Sequence, residues 1–270
     1  MNFPGAIANR ESAKYAIIGA PLDKSTTFQP GTRFGPEQIR SFSHSFEDYD
    51  HHTGLRFTEL DVYDHGDIRP SDDVEEYLEY LSGITSDLVN EGKFPVLLGG
   101  EHTISLAGFR AVNPDVIISI DAHLDLRDTF DGNKYNHACI MARGKEVADK
   151  ITVIGARAGS EAEWVQTKNE DITVVPVEEV PNWEFDMTDK SVYLTVDIDG
   201  ADPAFAPGTG TKEPFGLTSR QMQTIVRSIA PHADGMDIVE VNDRDNGEAA
   251  TLAGKLARES IFGHATKEQE

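Results

Sequence analysis

Short apolar or β-branched runs recur along the chain at YAIIGA (15–20), LRFTELDV (55–62), FPVLLG (94–99), DVIISI (115–120), ITVIGA (151–156), ITVVPV (172–177), VYLTVD (192–197) and MDIVEV (236–241). Each has the length of a strand. They lack the strict apolar–polar alternation of a half-exposed sheet, as strands buried on both faces should. Between several of them the period lengthens to that of a helix. Tyr77, Leu78, Leu81, Ile84 and Leu88 fall on one face of a segment at 71–91, and a second helix is predicted over 218–230, where Thr218–Ser219 provides a start signal. About eight strands alternating with helices predict an α/β fold with a parallel sheet covered on both faces. No repeat, low-complexity stretch or linker interrupts the pattern, so the expectation is one domain over 1–270 with loose tails at about 1–12 and 264–270.

Composition narrows the function. With 270 residues, 39% of them hydrophobic, there is material for a sizeable core. The 24 Lys+Arg stand against 47 Asp+Glu, a formal net charge of −23, which excludes a nucleic-acid partner because phosphate binding needs clustered cations. The carboxylates are interspersed, as in SDDVEEYLEYL (71–81), and read as solvated helix faces. Such a surface also suits a salty cytoplasm, where self-repulsion is screened, a halophile-like feature. The single cysteine, Cys139, cannot form an internal disulfide, and the polar start MNFPGAIANRES lacks the order of a signal peptide, so a cytoplasmic location is expected. No apolar run approaches the ~18 residues of a membrane span, and no membrane partner is expected.

In open parallel sheets ligands bind beyond the carboxyl ends of the strands. Three apolar runs end in metal-ligand chemistry there: GGEHTIS (99–105), DAHLDLRD (121–128) and VDIDGADP (196–203). Asp121, His123 and Asp125 lie two apart, which would place all three on one side of an extended segment; Asp197 and Asp199 repeat the spacing, and His102 completes the set. Alone, Asp199 would read as a turn former and His102 as a loop residue. Together, two imidazoles and four carboxylates could hold two metal ions with at least one bridging Asp, and uncompensated they would repel one another. Imidazole mixed with hard oxygen suits Mn²⁺, Fe²⁺ or Zn²⁺. The glycines of PGTGTK (207–212) do not form a phosphate loop and are read as letting the backbone pass close to that rim; Cys139 is read as packing.

GGEHTIS, SIDAHLDLRD and VDIDGADPAFAPGTGTKEPFGLT resemble the three signature segments of the ureohydrolase family, the arginases and agmatinases, and GAPLDKSTTFQPGTRFGPEQIR (19–40) resembles its agmatinase branch. The likeness runs from about residue 15 to 262. It implies a three-layer α/β/α arginase-like sandwich around an eight-stranded parallel sheet, two Mn²⁺ per subunit, and a homo-oligomer, trimer or hexamer. By resemblance, His102 and Asp125 belong to one manganese, His123 and Asp199 to the other, and Asp121 and Asp197 bridge them. Such a pair lowers the pKa of a shared water, making hydroxide available to attack a guanidinium carbon and release urea and an amine. His137, in YNHACIMAR (135–143), matches the family's proton-shuttling histidine and Glu240 the carboxylate that orients the guanidinium, while Asp125 would hand a proton to the leaving amine. Without that role Glu240 would read as a strand-end partner of Arg244, and His137 as a surface residue at a helix start.

Departures from the family pattern touch no ligand position: Glu101 stands where Asp is commoner, HACIMAR replaces the H-G-T-x-F form, and Asn242–Asp243 occupies a turn where Pro is frequent. The arginase set that clamps an α-carboxylate and α-ammonium is missing from LRDTFDGNKY (126–135) and GARAGSEAE (155–163). Agmatine hydrolysis to putrescine and urea, a step of polyamine biosynthesis, is therefore the leading expectation, with 4-guanidinobutyrase or arginase-type action as the alternative. Arg127 could bind a guanidinobutyrate carboxylate, or simply pair with Asp128 or Asp131. Two other classes fit less well. Two-metal phosphoester hydrolysis would want a stronger cationic clamp than Arg127 and Lys212, and a non-catalytic, metal-stabilised regulatory protein would not need His137 and Glu240.

Overall fold

Alternate side chains of a strand point to opposite faces, so a strand apolar at every position must be covered twice. The computed structural model, which describes residues 1–169, 171–184, 187 and 189–267, meets that requirement. Strands β1 (Tyr15–Ala20), β2 (Val62–Asp67), β3 (Phe94–Gly99), β4 (Val116–Ile120), β5 (Lys150–Ile154), β6 (Ile172–Val175), β7 (Val192–Asp197) and β8 (Ala233–Val239) form one sheet in the order β2-β1-β3-β8-β7-β4-β5-β6. Every neighbouring pair is parallel. Helices α1 (Gly35–Phe42), α2 (Val74–Asn90), α3 (Ser105–Val112), α4 (Ile140–Gly144), α5 (Glu161–Gln166) and α6 (Ser219–Ile229) lie in the connections between them, and α7 (Glu248–Lys267) follows β8.

The two faces are separate cores. Ile17, Val96, Leu98, Ile118, Leu194 and Ile238 pack with Met222, Ile225 and Ile229 of α6 and Ala253, Ala257 and Ile261 of α7. Their neighbours Ile18, Leu97, Ile117, Tyr193 and Val239 face Tyr77, Leu78 and Leu81 of α2, Leu106 and Phe109 of α3, and Ile140 and Met141 of α4. Both expected helices form. Asp73 caps α2 through the Glu76 N–H, and Thr218 and Gln221 form a capping box at the start of α6.

The run at 55–62 is not a strand. Phe57–Glu59 is a 3-10 turn whose Phe57 ring packs on Phe3 and Phe262, and the edge strand β2 starts at Val62 and continues through the polar sequence YDHGD. The apolar spacing of Leu55, Phe57 and Leu60 serves the docking of a turn against α7, which strand periodicity imitates. Asp64 of β2 is buried because Arg40 of α1 bonds both its oxygens, at 2.8 and 2.9 Å. The N-terminal segment is correspondingly less loose than expected, since the Phe3 ring is buried and its N–H donates to Asp64 Oδ2 at 2.6 Å. At the other end, residues 264–267 continue α7 and the His264 ring packs on Phe94; the rest of the expected tail, 268–270, lies outside the described residues. Strand β6 stops at Val175 because Pro176 has no N–H to donate. Among the described residues no helix is long and apolar enough to cross a membrane.

Candidate metal centre and active-site cavity

Four adjacent central strands, β3, β8, β7 and β4, end at one rim, and each delivers ligand chemistry there. After β3 the chain turns at Gly100, where a Cβ would lie 2.3 Å from the Leu22 carbonyl oxygen and 2.5 Å from its nitrogen; only glycine fits. Glu101 follows. Its buried carboxylate accepts from the N–H groups of Lys24 (2.6 Å) and Ser25 (2.7 Å) and the hydroxyls of Ser25 (2.8 Å) and Thr103 (2.9 Å), which ties the loop after β1 to the rim. Burial pushes the Glu101 carboxyl up.

His102 opens the next 3-10 turn and is fully buried. Its Nδ1 lies 3.2 Å from Asp121 Oδ2, 3.2 Å from Asp125 Oδ2 and 3.4 Å from Asp197 Oδ2. Its Nε2 is 3.0 Å from the Thr195 hydroxyl, which donates to Asp237 Oδ1 at 2.5 Å. When Asp237 is ionised, Thr195 spends its one proton there and can only accept from His102, so a neutral His102 ring would keep its hydrogen on Nε2 and leave the Nδ1 lone pair for a cation.

His123 Nδ1 lies 3.0 Å from Asp199 Oδ2 and 3.7 Å from Asp121 Oδ1. Asp121 thus offers one oxygen to each imidazole. His102, Asp121 and Asp197 form one group, and Asp121, His123 and Asp199 another, each with ligand atoms within 4.8 Å of one another. Asp125 stands beside the first group, and the six expected ligands all converge. They do so without the extended segments that the two-residue spacing suggests. Asp125 has a left-handed backbone (φ 49°), and Asp199 sits in the 3-10 turn Ile198–Gly200, capped by Asp197 Oδ1 accepting the Asp199 N–H at 2.9 Å.

These residues fit a cation on their own geometry. His102 Nδ1 and Asp121 Oδ2 are buried without a hydrogen-bond partner, facing the cluster. Burial and clustered charge shift several of these groups. Burial and then the Asp121 charge push Asp125 up to about 6, and burial with Asp199 and Asp121 holds Asp197 well above the carboxylate range. Burial opposes ionisation of Asp121 too, but the facing imidazoles of His102 and His123 bring it down. Both histidines rise, their desolvation outweighed by the carboxylates. A site that recruits protons onto its histidines in this way has negative charge that cations would balance.

His137 begins a 3-10 turn capped by the Asn136 side chain, and its N–H donates to the Ser25 hydroxyl at 2.9 Å. Its Nδ1 is 3.3 Å from Glu240 Oε1; against burial, Glu240 raises it to about 9. Glu240 follows β8 in a left-handed conformation (φ 63°), and its Oε1 accepts the His102 N–H at 2.8 Å. Arg244 is not its partner, since Arg244 Nε donates to the Pro30 carbonyl at 2.9 Å. Left-handed conformation at two such residues, Asp125 and Glu240, costs of order 1–3 kcal/mol each and is held by the surrounding bonds.

A cavity of about 340 Å³ opens at these groups, lined by His123, Asp125, His137 and Glu240, by the buried Glu163 and by Phe130, and by the more exposed Arg127 and Glu213, which mark its mouth. Arg127 pairs with neither Asp128 nor Asp131. Its Nε is 3.3 Å from Glu163 Oε2 and its guanidinium lies 5.0 Å from the Phe130 ring centre, while Asp128 takes Arg143 at 2.7 Å. Cys139 is buried and its thiol is pushed up to about 11 by burial, as suits packing. Sequence reasoning missed Glu163, Glu213, Thr195, Asp237 and Arg157. Arg157 donates to the carbonyls of Gly155, Asp199, Gly200, Ala201, Glu213 and Pro214 and so fixes the Asp199 turn and the 213–216 loop. Carbonyl acceptors have no sequence signature, so no signal in the chain marks this residue.

The chain matches the model of the arginase family over residues 13–263. It is 34% identical over 276 residues to the agmatinase of Halalkalibacterium halodurans, covering 95% of this chain and 94% of that one. It is 33% identical to the N(1)-aminopropylagmatine ureohydrolase of Thermococcus kodakarensis, covering 97% and 93%. The crystal structure of the agmatine ureohydrolase of Thermoplasma volcanium superposes with a TM-score of 0.94 at 32% identity, covering 99% of this chain and 95% of that one.

Proposed function

Taking as premise that the chain belongs to the arginase family, whose ureohydrolases cleave C–N bonds of amidines, we propose that it hydrolyses agmatine to putrescine and urea at a pair of Mn²⁺ ions. The observation that carries this reading is the convergence of His102, His123 and the four aspartates, with buried ligand atoms left unpartnered, at the floor of a cavity that also holds Glu240 and His137. His102, Asp121, Asp125 and Asp197 would hold one ion, and His123, Asp199 and the bridging Asp121 and Asp197 the other. When bound, the pair lowers the pKa of water so that hydroxide is available near neutral pH, which a resonance-stabilised guanidinium needs in its nucleophile.

The chain's own residues do the rest. Glu240 binds and orients the guanidinium by charge-assisted hydrogen bonds. Attack at the guanidinium carbon gives a tetrahedral centre whose bond to the alkylated nitrogen breaks, while Asp125 takes the proton of the attacking oxygen and hands it to that departing nitrogen. The products are urea and the amine. His137, against Glu240, carries protons between the cavity and water. The reading extends to 1–270 as one catalytic domain in a cytoplasmic homo-oligomer of three or six subunits.

Agmatine is preferred to arginine because LRDTFDGNKY and GARAGSEAE lack the polar clamp for an α-carboxylate. It is preferred to 4-guanidinobutyrate because Arg127 is already paired with Glu163. Urea release by Mn²⁺-loaded protein on agmatine, N(1)-aminopropylagmatine, arginine and 4-guanidinobutyrate tests the proposal. The highest kcat/KM is expected on agmatine. A higher value on arginine would overturn the substrate, and no urea from any of them would overturn the reaction.

A further inference from the structure

We propose that Glu213 selects the tail of the substrate: its carboxylate receives an ammonium group at the cavity mouth and repels a carboxylate there. The inference rests on the guanidine-hydrolysis reading above. Beyond the ligand cluster and the His137–Glu240 pair, the ionisable residues lining the cavity are Arg127, Glu163 and Glu213, among the described residues. The first two neutralise each other. Glu163 has no capacity to spare, because its Oε1 accepts from the Leu126 N–H (3.1 Å) while its Oε2 accepts from the Ser160 N–H (2.8 Å) and hydroxyl (2.7 Å) and faces Arg127 Nε (3.3 Å). Arg127 is engaged by that carboxylate and by the Phe130 ring.

Glu213 differs. Its side chain is 35% exposed and faces His123 Nε2 at 3.8 Å, beyond hydrogen-bond reach. The lysine beside it does not cap it, for Lys212 Nζ bonds the Gln29 side chain (3.1 Å) and the Thr209 carbonyl (3.2 Å). The backbone that carries Glu213 is fixed. Its carbonyl accepts from Arg157 Nε (3.2 Å) and Nη2 (2.7 Å), and the N–H groups of Phe215 (2.7 Å) and Gly216 (3.1 Å) donate to Asp202 Oδ2. Apart from the His123 ring, no cationic side chain among the described residues lies within ion-pair reach of Glu213, so with His123 spent on a cation the mouth presents one preorganised carboxylate to the end of the substrate remote from the guanidinium. An ammonium tail completes that carboxylate's hydrogen bonds, an alkyl tail leaves them to water, and a carboxylate tail meets like charge.

The experiment compares wild type and Glu213→Gln, both Mn²⁺-loaded, on agmatine, n-butylguanidine and 4-guanidinobutyrate, with putrescine affinity and equilibrium Mn²⁺ affinity measured separately. The kcat/KM ratio of agmatine to butylguanidine is expected to fall about 10–100-fold in the variant, chiefly through KM, as loss of a hydrogen bond to a charged group implies. Putrescine should bind more weakly by a similar factor, 4-guanidinobutyrate should improve, and Mn²⁺ affinity should hold. An unchanged ratio overturns the inference. Equal losses on agmatine and butylguanidine together with weakened Mn²⁺ binding overturn it in favour of Glu213 acting through His123. Wild-type protein that releases no urea from any of the three guanidines would instead sink the parent reading.

Discussion

Replacing Thr195 by valine keeps the shape of a β-branched side chain on β7 and deletes the hydroxyl that joins His102 to Asp237. All three residues are fully buried, so water cannot take the place of the lost group. Asp237 Oδ1 loses its 2.5 Å donor and His102 Nε2 its 3.0 Å acceptor. Each buried group left unsatisfied costs about 1–3 kcal/mol, so the metal-free protein is expected to lose ~2–6 kcal/mol of stability. His102 also loses the partner that fixes its tautomer, and loss of such outer contacts typically weakens metal binding about 10–100-fold. The effect should fall on one of the two metals, because His123 makes no contact with Thr195. Urea denaturation of metal-free protein measures the first quantity, and competition with a fluorescent chelator for Mn²⁺ measures the second. Thr195→Ser, which restores the hydroxyl, should recover most of both. A Thr195→Val protein that unfolds within about 0.5 kcal/mol of wild type and titrates both metals unchanged would refute the reasoning.

Further outcomes follow from other contacts. Gly100→Ala would drive a Cβ against the backbone of Leu22, which cannot rotate away; overpacking of about 3 kcal/mol and a displaced His102 are expected, and denaturation with metal titration would show wild-type values if the turn can yield. In metal-free protein His137 is raised from about 6.5 in the unfolded chain to about 9, so its charged contact with Glu240 stabilises fully below pH ~6.5 and is lost as pH rises through about 9. The Tm advantage of wild type over His137→Gln should therefore shrink across that window, and a pH-independent difference would contradict the pairing. A formal charge of −23 makes self-repulsion a destabilising term that salt screens, so Tm should rise between low and molar KCl, and a flat or falling Tm would remove salt adaptation as the meaning of the acidic surface.

Strand length, double-sided burial and helix starts are local properties of the chain, which is why most apolar runs became strands where the pattern places them and why Asp73 and Thr218 begin their helices. The exception at 55–62 is instructive. Leu55, Phe57 and Leu60 are buried or half-buried by contact with distant residues, and no local period separates a docked turn from a strand. Ligand chemistry at strand ends was likewise readable, since GGEHTIS, DAHLD and VDIDG carry His and Asp at fixed spacing just beyond apolar runs.

Residue type and spacing along one strand end are written in the chain itself, because they concern neighbours in sequence. Strand order is not. That β3, β8, β7 and β4 lie side by side, and so bring His102, Glu240, Asp197 and Asp121 to one rim, depends on pairings across long stretches of chain. The same holds for the left-handed turns at Asp125 and Glu240, the Thr195–Asp237 support beneath His102, the neutralised Arg127 and the half-exposed Glu213 beside His123. Each of these is set by a contact with a partner that no local pattern names. The folded chain decides them because only packing determines which buried groups find a partner and which are left for a ligand.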